Sequence, residues 1–125
     1  MPAYDRSFDP PAAVADVVIG HPVTGLRSGT LRGKLDSGAD ITVVPERMVT
    51  DLRMSSKGRI WTRSYDGSYS QRSLFYMRLT VEGFELPAVR CIATERSDVL
   101  LGRNVLNRFI ITLDGKSLTF DLKDP

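Results

Sequence analysis

The stretch Leu35-Asp36-Ser37-Gly38-Ala39-Asp40-Ile41-Thr42-Val43-Val44 decides the fold of this chain. It sets an acidic residue between a β-favouring approach and a Ser-Gly turn, and a second β-branched run follows at once. That order reads as strand, tight loop, strand, with one carboxylate held at the loop. Gly38 lets the backbone fold close to the carboxylate because no Cβ stands in the way. Ser37 brings a hydroxyl that can donate to and accept from backbone groups around it. Taken alone, Asp36 reads better as an Asx-type turn, with its side chain bonding local amides, than as a catalytic group.

A second segment changes that balance. Downstream comes Asp98-Val99-Leu100-Leu101-Gly102-Arg103-Asn104-Val105-Leu106, an apolar triplet, a glycine, an arginine and a short helical pattern. Together the two segments resemble the retropepsin-like aspartic proteases, the single-lobe proteases of retroviruses, retrotransposons and cells. The resemblance runs from about Val14 to about Leu122. It implies that Asp36 is the catalytic aspartate and that Ser37, Gly38, Ala39 and Asp40 shape its loop. It also implies that the apolar-Gly segment packs beneath that loop and leads into a helix. Asp40 and Arg103 match a pair that ties the two together, expected here as a buried, bidentate ion pair.

Composition leaves carboxylates as the chemistry. The chain has 125 residues, 42% hydrophobic and 26% charged, with a net charge of +2. That is one ordinary globular domain, and the charge is too small to argue for nucleic acid. Cys91 is the only cysteine and His21 the only histidine, so Cys-His and Ser-His nucleophile schemes, an internal disulfide and a metal cluster all lack their parts. No metal and no cofactor is expected. Cys91 sits in a strand-like alternation and reads as a small buried hydrophobe. No apolar run approaches a membrane span and no leader pattern opens the chain. The expectation is a soluble, cytoplasmic protein, unless it is released from a longer precursor.

Along the chain, residues 1–12, with Pro2, Pro10 and Pro11, read as an extended or mobile arm, and residues 13–125 as one domain. Strands are expected over 14–19, 26–35 and 41–44, then a short helix over 45–52 opened by Pro45. Further strands are expected over 59–62, 68–81, 84–86, 89–93 and 99–101. A helical turn or two follows over 104–108, and a last hairpin turns at Asp114-Gly115-Lys116. Asp66-Gly67 and Glu82-Gly83 mark two more hairpins. Many short strands with regular turns and one or two short helices point to an all-β fold, a small closed β-barrel.

Peptide hydrolysis needs a base for the attacking water and an acid for the leaving nitrogen. Two carboxylates sharing one proton do both, since two like charges about 3 Å apart cannot both ionise. Only one Asp-Ser-Gly is present, so a working dyad requires two copies of Asp36 across a two-fold axis, an isologous homodimer acting on an extended peptide. The hairpin at Tyr65-Asp66-Gly67-Ser68 matches the family's flap, with Trp61, Tyr65 and Tyr69 as cleft-side aromatics. Asp98 and Leu100 match a wall of the substrate cleft. Lys34 lies two residues before Asp36 and either pairs with Asp98, making the pocket partly polar, or snorkels to solvent. Two other readings compete with the peptidase. One is a catalytically silent module of the same fold that binds or dimerises, and the other is a small barrel that binds nucleic acid. Arg63, Tyr65, Tyr69 and Arg72 offer only a faint version of the latter's signature.

Overall fold

A computed structural model describes residues 1–64 and 66–124. The chain runs β1 (Val14–Gly20), β2 (Leu31–Leu35), β3 (Thr42–Pro45), α1 (Glu46–Asp51), β4 (Arg59–Arg63), β5 (Tyr69–Val81), β6 (Phe84–Thr94), β7 (Val99–Leu101), α2 (Arg103–Leu106), β8 (Ile110–Asp114) and β9 (Thr119–Lys123). Strands pair in the order β1-β2-β7-β3-β6-β5, and β5 pairs back onto β1. This closes a barrel of 6 strands, which removes the open edges a flat sheet would carry. β4 extends from β5 as a hairpin, and β8 and β9 form a separate two-stranded sheet.

Alternation along the strands fills the barrel. Ala15, Val17 and Ile19 of β1, Leu79 and Val81 of β5, and Val99 and Leu101 of β7 are all fully buried. Burying each of the larger ones contributes roughly 1.5–3 kcal/mol. Phe120 of β9 is also fully buried in this core, so one strand of the terminal hairpin anchors the other. The arm of residues 1–12 is tied to that hairpin. Phe120 donates its amide to the Pro2 carbonyl at 2.9 Å, and Tyr4 donates to Leu118 at 2.8 Å.

Two sequence expectations need correction. The second strand begins at Leu31, not Leu26. Upstream of it, His21 Nδ1 accepts the amides of Val23 and Thr24, and the Ser28 hydroxyl accepts the amide of Ile19. Backbone pairing of this segment with β1 is confined to the bridge Gly20↔Arg27, flanked by His21 donating to the Leu26 carbonyl and Ser28 to the Ile19 carbonyl, both at 2.8 Å, too short a ladder to make a strand. The runs 84–86 and 89–93 are one strand, β6, with Pro87 inside it. Its pairing jumps from Met77↔Val89 to Leu79↔Leu86, and that bulge accommodates a residue with no amide to donate. The hairpin between β5 and β6 turns on Glu82 and Gly83, both at positive φ, as a two-residue turn between twisted strands requires. Cys91 lies fully buried in β6, and burial pushes its thiol up so that it stays protonated. Among the described residues no helix is long and apolar enough to cross a membrane.

Candidate active site

The Asp36 loop grows out of a parallel pairing. β2 runs beside β7 with Leu35 opposite Leu101, and the Asp36 amide continues the ladder by donating to the Leu101 carbonyl at 3.0 Å. The chain then turns. Ala39 donates to the Asp36 carbonyl at 3.2 Å, and Gly38 donates its amide to Asp36 Oδ1 at 2.9 Å. A Cβ on Gly38 would stand 3.1 Å from that oxygen. Glycine therefore permits the close approach. Oδ2 of Asp36 has no partner among the described residues. One carboxylate oxygen is held and the other is left for chemistry, on a half-buried side chain beside the exposed Ser37.

A polar network centred on the buried Thr42 fastens this loop to the helix below. Thr42, fully buried at the start of β3, accepts the Gly102 amide at 3.1 Å and donates to Asn104 Oδ1 at 2.8 Å. Asn104 in turn donates to the Arg90 carbonyl at 2.8 Å. Neither Thr42 nor Asn104 stands out in the sequence, although a lone hydroxyl inside an apolar β run was a signal that could have been used. Gly102 passes so close to the loop that a Cβ there would lie 2.6 Å from the Ile41 carbonyl carbon.

Asp40 and Arg103 do meet, at 2.7 Å, but the pair is neither buried nor bidentate. Asp40 is 87% exposed and Arg103 47%. The second arm of the guanidinium, Nη1, donates instead to the Ser37 carbonyl at 2.8 Å. The fork splits because the turn presents a carbonyl and a carboxylate side by side. The energetic order of the supports follows. Arg103→Ala should cost about 1 kcal/mol or less, the scale of an exposed ion pair. Thr42→Val strands a buried amide and should cost about 1–3 kcal/mol. Thermal unfolding of the two variants checks the order, and a larger loss in Arg103→Ala would contradict it.

The polar pocket expected from Lys34 and Asp98 does not form. Lys34 Nζ lies 5.0 Å from the centre of the Phe8 ring, brought there by the arm. Asp98 pairs with Arg96 at 3.2 Å, a partner two residues away that costs little chain entropy to reach. Leu100 is half-buried where β7 meets β2 and β3, opposite Lys34 and Val43. None of the three lines the cleft that opens beside the active loop.

That cleft has a volume of about 490 Å³ and lies between residues 38–41 and the β4–β5 hairpin. Ile41, Val43, Ile60 and Ile92 line it as an apolar floor, and Trp61, Tyr69, Arg63 and Arg90 stand around its rim. The sequence reading missed the floor and Arg90, because β3 and β6 are brought together only by a parallel pairing between distant segments. The hairpin tip lies beyond the lining. Tyr65 is outside the described residues. Gly67 sits at φ 88°, and Asp66 Oδ1 accepts both the amide and the hydroxyl of Ser68, at 2.9 and 2.7 Å. Those two bonds hold the Asp66 carboxyl below its ordinary value, the amide having the larger effect. A lowered carboxylate contributes its stability above the unfolded pKa of about 4 and loses it as pH falls through the lowered value. The tip therefore keeps its lock at mildly acid pH.

Comparison with known proteins agrees with this geometry. The model of a family described as "gag-polyprotein putative aspartyl protease" matches residues 29–108, which contain both the Asp36 loop and the Gly102-Arg103 segment. Among solved structures, the solution structure of simian foamy virus (mac) protease matches with a TM-score of 0.56 and 22% identity, covering 76% of this chain and 92% of that one. At that identity the likeness speaks for the fold. No curated protein matches the chain.

Proposed function

This chain belongs to the retropepsin-like aspartyl protease family, and from that premise we propose that it is a homodimeric aspartic endopeptidase. Two Asp36 carboxylates, one per protomer, share a proton across a two-fold axis. The ionised one takes a proton from a water, which attacks the scissile carbonyl while the protonated one polarises it, and the amide nitrogen then takes a proton from the dyad as the C–N bond breaks. The observation that carries this reading is the asymmetry of the carboxylate. Oδ1 is occupied by the Gly38 amide and Oδ2 has no partner among the described residues, on a loop whose residues 38–41 line the adjoining cleft although Asp36 itself does not. An Asx turn alone would explain the first bond. It gives no reason for the Thr42–Asn104 support beneath it.

The face around the loop supports a second copy as the partner. Leu113 of the terminal hairpin is 59% exposed. A groove of about 350 Å³ runs from Ser37 and Arg103 to Phe109, Ile111 and Leu113. The Asp36 loop and an exposed apolar sheet thus share one continuous surface, as a shared active site at an isologous interface requires.

Half a site per chain makes activity depend on concentration. Specific activity on a casein or mixed-peptide substrate should fall on dilution, following the dimer dissociation curve. Sedimentation run in parallel supplies that curve. A stable monomer that cleaves at an undiminished specific rate would overturn the two-fold dyad, and absence of any hydrolysis from a proven dimer would favour a silent binding module.

A further inference from the structure

The rim of the cleft carries two cations that no described carboxylate neutralises. Arg63 projects from the end of β4 and Arg90 from β6, both are exposed, and both line the cleft. Among the described residues neither stands within salt-bridge distance of an acid. The one acid on the cleft wall, Asp40, is already engaged by Arg103. The Arg63 guanidinium lies 5.7 Å from the centre of the Tyr69 ring. Such a contact uses the face of the cation and leaves its in-plane N–H donors available. The same cleft is lined by the aliphatic Ile41, Val43, Ile60 and Ile92.

We propose that this cleft selects peptides that seat an aliphatic side chain on the floor and present an aspartate or glutamate beside it to Arg63 and Arg90. The proposal rests on the peptidase reading above and names its substrate class. Local charge explains the choice. Among the residues lining the cleft the cations are Arg63 and Arg90 and the acid is Asp40, already paired with Arg103, so an acidic side chain gains two unpaired donors while a lysine meets repulsion. The discrimination comes from the rim even though the whole chain is close to neutral. In a two-fold dimer each protomer brings one such cleft, so the preference acts on both sides of the cut.

The test uses the full chain carrying Asp36→Asn and a set of fluorescent peptides. These share one aliphatic core and differ by Glu, Gln or Lys walked through the flanking positions. At its best position the Glu peptide should bind about three- to five-fold more tightly than the Gln peptide, as exposed ion pairs allow, and the Lys peptide more weakly than either. Raising the salt should erode that order. Adding Arg63→Glu and Arg90→Glu should invert it, and the single changes Arg63→Gln and Arg90→Gln should each shrink it. Equal binding of all three peptides would overturn the proposal. So would an unchanged order in the double variant, or an oligonucleotide that binds as tightly as the Glu peptide. Hydrolysis by the unmodified chain separates the two layers. Discrimination in binding without any cleavage would sink the peptidase and keep the selectivity, whereas cleavage without discrimination would do the reverse.

Discussion

Asp36→Asn should fold and dimerise, yet hydrolyse peptides at least about 10³-fold more slowly, within the range general acid–base groups supply. Asparagine is nearly isosteric, so its side-chain oxygen can keep the Gly38 amide now bound by Oδ1 at 2.9 Å. The turn therefore survives. The other carboxylate oxygen becomes an amide nitrogen, which cannot take a proton from water. In the proposed dimer the change would also remove the repulsion between two acids forced together, so thermal stability should stay level or rise slightly. Activity assays and unfolding of one purified preparation test both halves. Substantial turnover by the variant would sink the mechanism. Loss of folding would mean that the carboxylate holds the loop itself, as a plain Asx turn would.

Gly102→Ala should be the most damaging small substitution away from the carboxylate. An added methyl would lie 2.6 Å from the Ile41 carbonyl carbon, 2.7 Å from its oxygen and 3.0 Å from its nitrogen. These are backbone atoms of the active loop, so no rotamer change relieves the clash. Gly102 also starts α2, its carbonyl accepting the amides of Val105 and Leu106 at 3.0 Å, and its own amide bonds to Thr42. Either the helix or the loop must move. We expect a loss of about 3 kcal/mol, the upper part of the range for overpacking, together with most of the activity. Gly115→Ala is the control, since a methyl there meets nothing within 4 Å. If the two variants melt alike, the close packing of helix and loop is wrong.

Glycine, proline and short polar residues made much of the architecture legible, because their effects are local. Gly38 and Gly83 mark turns through the backbone they permit, and Pro45 ends β3 and opens α1 through its fixed φ. β-Branched residues mark β1 and β3, and in β5 Met77, Leu79 and Val81 alternate with exposed or half-buried neighbours with a period of two. Over residues 26–30 local β preference does not decide the outcome. There only the bridge Gly20↔Arg27 pairs with β1, and Ser28 turns its hydroxyl to the Ile19 amide.

Charge partners were the least legible part. Asp40 and Arg103 stood out from the resemblance of their segments, but their exposure depends on how much chain covers them. Lys34 and Asp98 were plausible partners by strand register, yet a nearer arginine took the acid and the arm brought Phe8 to the lysine. The cleft floor needed Ile41, Val43 and Ile92 from around the β3–β6 pairing and Ile60 from β4. No local rule joins residues so far apart in sequence.

The amino-acid order alone determined a small all-β barrel, the strand–loop–strand that presents Asp36, and the close-packed glycine segment that supports it. Each follows from backbone preferences or steric permissions acting within a few residues. Closure of the barrel then decided what surrounds Asp36. It buried Thr42, left the Asp40–Arg103 pair in solvent, and brought Arg63 and Arg90 to one rim over an aliphatic floor. Those outcomes turn on burial and on distances between remote segments, quantities that exist only once the chain has folded.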